Sequence, residues 1–199
     1  MQKVLIIFAH PALQGSRINR SMIEGIERLK GITFHDLYEL YPRSDIDIKH
    51  EQKLLLEHQF IIFQHPFYWY SMPPLLKEWI DLVLEHGWAY GSTGKSLAGK
   101  KAMSIITTGG KQVSYQNDGF NRYTMTQLLA PMDQTAFLCK MEYFPPYVIH
   151  GTHQLSDEEV QIEAEKYKTF IQNVRDQTFN FTTAAKVNPE NMNQNSRKK

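Results

Sequence analysis

Apolar residues run with little or no alternation through residues 3–8 (KVLIIF), 60–63 (FIIF) and Lys101–Thr107 (KAMSIIT). Short runs of this kind suit strands buried on both faces, as in a parallel sheet. Between them the period lengthens. Ile18, Met22, Ile23, Ile26 and Leu29 share one face of a helix that Ser16 can cap and Gly31 can end. Ile32–Asp36 reads as a second strand, 37–48 as an irregular connection around Pro42, and roughly 51–58 as a short helix. The third strand starts at Phe60 and stops at the tripeptide Gln64, His65, Pro66. Pro73 and Pro74 then open a helix, where a missing N–H is tolerated. Its inner stripe is Leu75, Leu76, Trp79, Ile80, Val83 and Leu84. After a loop over 92–100 and the fourth strand at Lys101–Thr107, a helix covers roughly 125–130 and ends near Pro131. Residues 137–141 are the expected fifth strand, with 144–150 an extended continuation interrupted by Pro145 and Pro146. Ser156 and Glu159 form a capping box for a last helix that buries Val160, Ala164, Tyr167, Ile171 and Val174. Strand and helix alternate five times, which predicts an α/β fold with a parallel sheet covered on both faces.

Composition narrows this picture. The 199 residues are 42% hydrophobic and 22% charged, ordinary values for one globular domain with a substantial core. A net charge of +1 and the lack of a basic stripe leave no electrostatic footprint for nucleic acid. Cys139 has no disulfide partner in the chain and reads as a small buried hydrophobe. The early apolar run at 4–9 is far short of the ~20 residues of a membrane span, and no cleavage site follows it. A cytoplasmic protein is expected. After 176 the composition turns to Asn, Thr, Lys and Arg, so the domain is drawn at 1–176. Residues 177–199 are expected to be a flexible polar tail in which Phe179 and Phe181 can still dock, with 186–199 disordered.

Ligands of such sheets bind outside the carboxyl ends of the strands. The loops after the first, third and fourth strands are the ones of unusual composition. The first opens a helix, where free N–H groups and the positive end of the dipole favour a phosphate. Ser16, Asn19 and His10 can add hydrogen bonds there. An ordinary capped helix gives the same pattern, and neither GxGxxG nor GxxxxGK[ST] is present. Thr107, Thr108, Gly109 and Gly110 put two glycines at a strand end, where backbone amides can approach a flat ligand and stabilise negative charge, or simply turn. Phe67, Tyr68, Trp69 and Tyr70 are costly to expose in a row and are expected to pack on something. Trp69 suits a wall beside a ligand ring; Tyr68 and Tyr70 suit the core or a subunit partner. Tyr115 is either a hydrogen-bond or proton donor or a surface tyrosine. No GxSxG elbow or HxxxH spacing occurs, and His150 with His153 is a weak metal pair.

Taken together, AHP after the first strand, Ser16 with Asn19, HPFYWYSMPPLLKEWIDLVLEHGWAYG and TTGG resemble the flavodoxin-like NAD(P)H:quinone oxidoreductases. Within that family the chain is most similar to bacterial flavoproteins that serve as ancillary subunits of glutathione-gated potassium efflux systems. The similarity covers about residues 3–175. It implies a flavodoxin-like three-layer sandwich with strand order 2-1-3-4-5, and a bound FMN or FAD. By position, His10, Ser16, Arg17, Ile18 and Asn19 match the phosphate loop. Pro66, Phe67, Tyr68 and Trp69 match the residues flanking the flavin ring, and Thr107, Thr108, Gly109 and Gly110 those at its pyrimidine side. Tyr115 matches a tyrosine that stabilises reduced flavin in the animal members; the partner histidine's place holds Asn121. The resemblance also implies a homodimer with the sites at the interface, near 86–90.

The function implied is a ping-pong transfer of two electrons from NAD(P)H through the flavin to a quinone-like acceptor. FMN is preferred to FAD because no adenine subsite is visible. Two other roles compete: a regulatory subunit of a potassium antiporter at the inner face of the membrane, and a flavodoxin-type electron carrier. The nearly neutral charge disfavours the carrier, which needs an acidic docking face.

Overall fold

The unbroken apolar runs become central strands. In the computed structural model, which describes residues 1–193, five parallel strands form one sheet in the order β2-β1-β3-β4-β5. They are β1 (Val4–Phe8), β2 (Ile32–Asp36), β3 (Phe60–Pro66), β4 (Lys101–Thr107) and β5 (Glu142–Ile149). Helices α1 (Arg17–Ile23), α2 (Leu37–Leu40), α3 (Ile48–Glu57) and α4 (Pro74–Val83) precede β4. Helices α5 (Met125–Leu128), α6 (Ala130–Leu138), α7 (Asp157–Asp176) and α8 (Phe181–Val187) follow it. Alternate strand residues feed two cores. Leu5, Ile7, Ile61, Phe63 and Ile106 meet Leu55, Leu76 and Trp79 on one face. Val4, Ile6, Ile62 and Ile105 meet Met22, Tyr167 and Ile171 on the other. This is the three-layer sandwich.

Several local expectations need correction. The first helix does not reach Leu29: Gly25 takes φ 76°, and only a single 3-10 turn follows at Ile26–Arg28. The irregular connection after β2 begins with α2, because Asp36 Oδ1 accepts from the Tyr38 N–H at 3.0 Å and caps it. Strand β3 continues through Pro66, paired with Thr107 of β4. Pro131 does not end a helix but sits in the first turn of α6, where its missing N–H costs nothing. Residues 137–141 are therefore not a strand. Phe137 and Leu138 finish α6, and Phe137 is 73% exposed, apolar yet outside both cores. The fifth strand is Glu142–Ile149, with both prolines inside it and a register shift between Met103 and Ile105 of β4. An edge strand tolerates prolines because its outer N–H groups need no neighbour strand.

Phe179 and Phe181 dock as expected, while the disorder expected from 186 is corrected as far as Asn193. Phe181 stacks on Phe144 at 4.1 Å between centroids and edges against Phe179 at 4.8 Å. The Asn191 side chain then accepts from the Val148 N–H at 2.8 Å and donates to the Val148 carbonyl at 2.9 Å, filling the open rim of β5. Glu190 accepts from the Thr126 N–H at 2.9 Å, at the start of α5. Apolar burial and edge pairing hold this segment through Asn193; residues 194–199, also expected to be disordered, lie outside the described ones. Asn191→Ala is expected to cost about 2 kcal/mol, two ordinary hydrogen bonds, read as a lower urea midpoint. An unchanged midpoint would show that the rim needs no such seal.

One buried polar cluster lies away from the strand ends. Glu51 on α3 is 0% exposed. Its carboxylate accepts from Tyr41 Oη at 2.5 Å and Trp79 Nε1 at 2.7 Å, and pairs with His35 Nε2 at 2.8 Å. Burial alone would raise the Glu51 pKa, but these partners together hold it below the usual carboxylate value.

Candidate functional site

The carboxyl ends of β1, β3 and β4 open into one cleft of about 490 Å³. Ser16 sits where β1 has run out, and its Oγ accepts from the Asn19 N–H at 3.3 Å, the cap that starts α1. Asn19 is only 1% exposed. Its Nδ2 donates to Ser16 Oγ at 2.9 Å and to Thr107 Oγ1 at 3.0 Å, tying the first loop to the end of β4. Asn19 Oδ1 is buried with no partner among the described residues. A buried acceptor left so is costly unless something donates to it. The first N–H groups of a seven-residue helix lack intrahelical partners, and those of Arg17 and Ile18 belong to this set.

His10 is buried at the cleft wall, and its Nδ1 accepts from the Ala12 N–H at 3.2 Å, so the neutral ring carries its proton on Nε2. Burial lowers its pKa, an effect only partly offset by backbone hydrogen bonding. Along the opposite wall, Thr108 Oγ1 and Tyr115 Oη are 2.6 Å apart, and the Gly110 N–H donates to Thr108 Oγ1 at 3.3 Å. Tyr115 is buried rather than a surface tyrosine, and burial raises its pKa despite the Thr108 hydrogen bond. The phenol is thus neutral and keeps its proton across the ordinary pH range.

The aromatic loop is a tight turn. The Ser71 N–H donates to the Tyr68 carbonyl at 2.9 Å, and Trp69 and Tyr70 both have positive φ, 49° and 61°. That is the pattern of a type I′ turn, and bulky residues adopt it at a cost. Phe67 packs, edge to face with Tyr70 and tilted on Tyr115. Trp69 does not pack within the chain: it is 93% exposed, and Tyr68 and Tyr70 are partly exposed as well. A second hollow of about 330 Å³ lies beyond Phe67, lined also by Trp69, Tyr70, Tyr115, Phe120 and Asn121.

The expected site residues therefore divide. His10, Ser16, Arg17, Ile18, Asn19, Pro66, Phe67, Tyr68, Thr107, Thr108 and Gly109 line the cleft. Trp69, Gly110, Tyr115 and Asn121 line the adjoining hollow, which Phe67 shares. The Arg17 guanidinium turns away from the cleft to the Leu155 carbonyl and the Asp157 carboxylate, leaving its backbone at the loop.

Sequence reasoning missed the loop after β5. Thr152 and His153 line the cleft, and the His153 ring lies so close to Gly109 that a Cβ there would come within 2.5 Å of it. The Gly151 N–H donates to the Gly110 carbonyl at 2.9 Å, and the Thr152 N–H to that of Thr108 at 3.1 Å. His150 stacks obliquely on Tyr115 at 5.4 Å, and burial pushes its pKa down to about 4. Correct placement of the fifth strand would have put this loop beside the others.

A family model described as flavodoxin-like fold matches residues 2–171. The chain belongs to that family. Among its relatives is the glutathione-regulated potassium-efflux system ancillary protein KefG of Pectobacterium atrosepticum, 46% identical over 169 residues, covering 85% of this chain and 92% of the relative. Among solved structures is general stress protein 14 of Treponema denticola in complex with FMN, 36% identical, TM-score 0.82, covering 86% of this chain and 99% of that one. An NADPH-quinone reductase of P. pentosaceus is 32% identical, TM-score 0.76, covering 84% and 96%. Proteins similar to this chain thus include one solved in complex with FMN and one described as an NADPH-quinone reductase. Among the described residues, no helix is long and apolar enough to cross a membrane.

Proposed function

We propose that the chain is an FMN-dependent NAD(P)H:quinone oxidoreductase. The observation that carries this reading is the single cleft, with its buried, unpartnered Asn19 Oδ1, in a family whose members bind FMN. The donor and acceptor set suits a flavin mononucleotide. The N–H groups of Arg17 and Ile18 and the Ser16 hydroxyl would hold the phosphate; α1 is short, so individual donors matter more than its dipole. Asn19 Oδ1 would accept from a ribityl hydroxyl. Pro66, Phe67 and Tyr68 would flank the ring, and the backbone of Thr107–Thr108–Gly109–Gly110 would serve its polar edge.

When bound, FMN supplies two-electron chemistry between NAD(P)H and a quinone-like acceptor. The chain's own part is positioning and proton handling. Tyr115 Oη, paired with Thr108 Oγ1, holds a proton beside the hollow that Phe67 separates from the cleft. Asn121 stands in that hollow without a titratable group and accepts from Tyr70 Oη at 3.3 Å, so Tyr115 and Tyr70 are the phenols that line it. Trp69 and Phe120, 93% and 89% exposed at its mouth, support a homodimer that covers them. Nicotinamide and acceptor would use one hollow in turn. Initial rates at varied NAD(P)H and quinone are expected to give the parallel lines of ping-pong kinetics; intersecting lines would overturn the shared hollow.

The KefG likeness favours a second role that can coexist with the first, as an ancillary subunit of a potassium-efflux antiporter. Co-purification with such a membrane protein tests it.

A further inference from the structure

The cleft ends where the loop before α1 meets the connection from β5 to α7, and Arg17 joins the two. Its Nη2 donates to the Leu155 carbonyl at 2.7 Å and its Nη1 to the Asp157 carboxylate. Two different acceptors on one planar fork fix the guanidinium across the gap. Asp157 is itself at home there, as the first residue of α7 after the Ser156 cap, where a helix start favours negative charge.

Arg17 also lines a second hollow, of about 560 Å³, formed with Arg20, Ser21, Glu24, Asp157 and Gln161 between α1 and α7. It is the one wall common to that hollow and the cleft, among the described residues. Asn19, whose Oδ1 is buried and unpartnered, is among the residues that line the cleft. The two cavities thus meet at Arg17.

We propose that the Arg17 bridge makes the site select a flavin mononucleotide over a dinucleotide. This rests on the flavin reading above. FMN ends at its phosphate, on the cleft side of the bridge. The second phosphate and adenosine of FAD have to pass the bridge to reach the outer hollow, and so must break it. The Arg17 side chain is about half open to solvent and that of Asp157 almost wholly so, and exposed ion pairs hold weakly. The selection is therefore graded, and one substitution is enough to remove it.

The test uses the full chain stripped of flavin and titrated with FMN and with FAD, following quenching of flavin fluorescence. FMN is expected to bind about fivefold more tightly than FAD, the upper range for an exposed ion pair. In Asp157→Ala, which lies outside the cleft, the ratio is expected to fall to about one through tighter FAD binding, with FMN affinity unchanged. Asp157→Asn keeps the helix start and serves if the alanine variant does not fold by circular dichroism. Equal affinities in the parent protein, or an unchanged ratio in the folded Asp157 variant, overturns the bridge as selector and leaves the flavin reading standing. Binding of neither flavin overturns the flavin reading itself, and this proposal with it.

Discussion

Replacing Glu51 by alanine is expected to destabilise the protein by about 3–5 kcal/mol, the cost of leaving three buried hydrogen-bonding groups without their acceptor. The loss is large because three groups depend on one carboxylate. The Tyr41 hydroxyl, the Trp79 N–H and His35 Nε2 all point at it, and Trp79 and Glu51 are 0% exposed. Alanine leaves each of them without its partner. Glu51→Gln is milder in shape but replaces a carboxylate oxygen with an NH2 that cannot accept from either donor. The pH dependence separates the two effects. The folded pKa of Glu51 lies below its unfolded value, so its contribution is fully present above the unfolded pKa of about 4.3. It is lost as pH falls through the lower, folded value. Urea midpoints taken from pH 7 down to 3 should therefore converge for the parent and Glu51→Gln at the acid end. Curves that stay parallel over that range would show that the carboxylate's charge is not what stabilises the cluster.

Asn19→Ala is expected to weaken FMN binding about tenfold to a hundredfold, the cost of leaving a buried hydrogen-bonding group without its partner. Two things go at once. The strut from Ser16 to Thr107 is broken, and the unpartnered Oδ1 disappears. Thr107→Val removes only the strut's far end and keeps the oxygen, so its affinity should lie between those of the parent and Asn19→Ala. Dissociation constants from flavin fluorescence quenching make the comparison. If Asn19→Ala binds FMN as the parent does, Oδ1 does not face the ligand.

The elements that were legible in the chain are those whose burial is uniform. Val4–Phe8, Phe60–Pro66 and α4 announce themselves because the strands are buried at every residue and the helix buries an apolar side chain at every third to fourth. The capping box at Ser156 marks α7 to the residue. The fifth strand failed because it is an edge. Pro145 and Pro146 fit its outer rim but read as a break, while Phe137 and Leu138 are apolar without being inside. The loop with Thr152 and His153 was weighed only as a weak metal pair and was not counted among those that line the cleft. The docked tail was hidden for a different reason. An asparagine amide that pairs with both backbone groups of one residue leaves no periodic trace in a sequence. The tight turn at Trp69 and Tyr70 was not legible either, since it needs two positive φ angles that aromatic residues do not advertise.

The Asn191 seal on β5 has a consequence for biosynthesis. Val148 is translated 43 residues before the side chain that satisfies it. At cellular elongation rates of roughly 5–20 residues per second, the rim of the sheet stays open for roughly 2–9 seconds after the strand is made. During that interval a neighbouring nascent chain could pair where Asn191 will later sit. Growth at temperatures that slow translation should therefore raise the insoluble fraction of this protein more than its equilibrium stability would suggest.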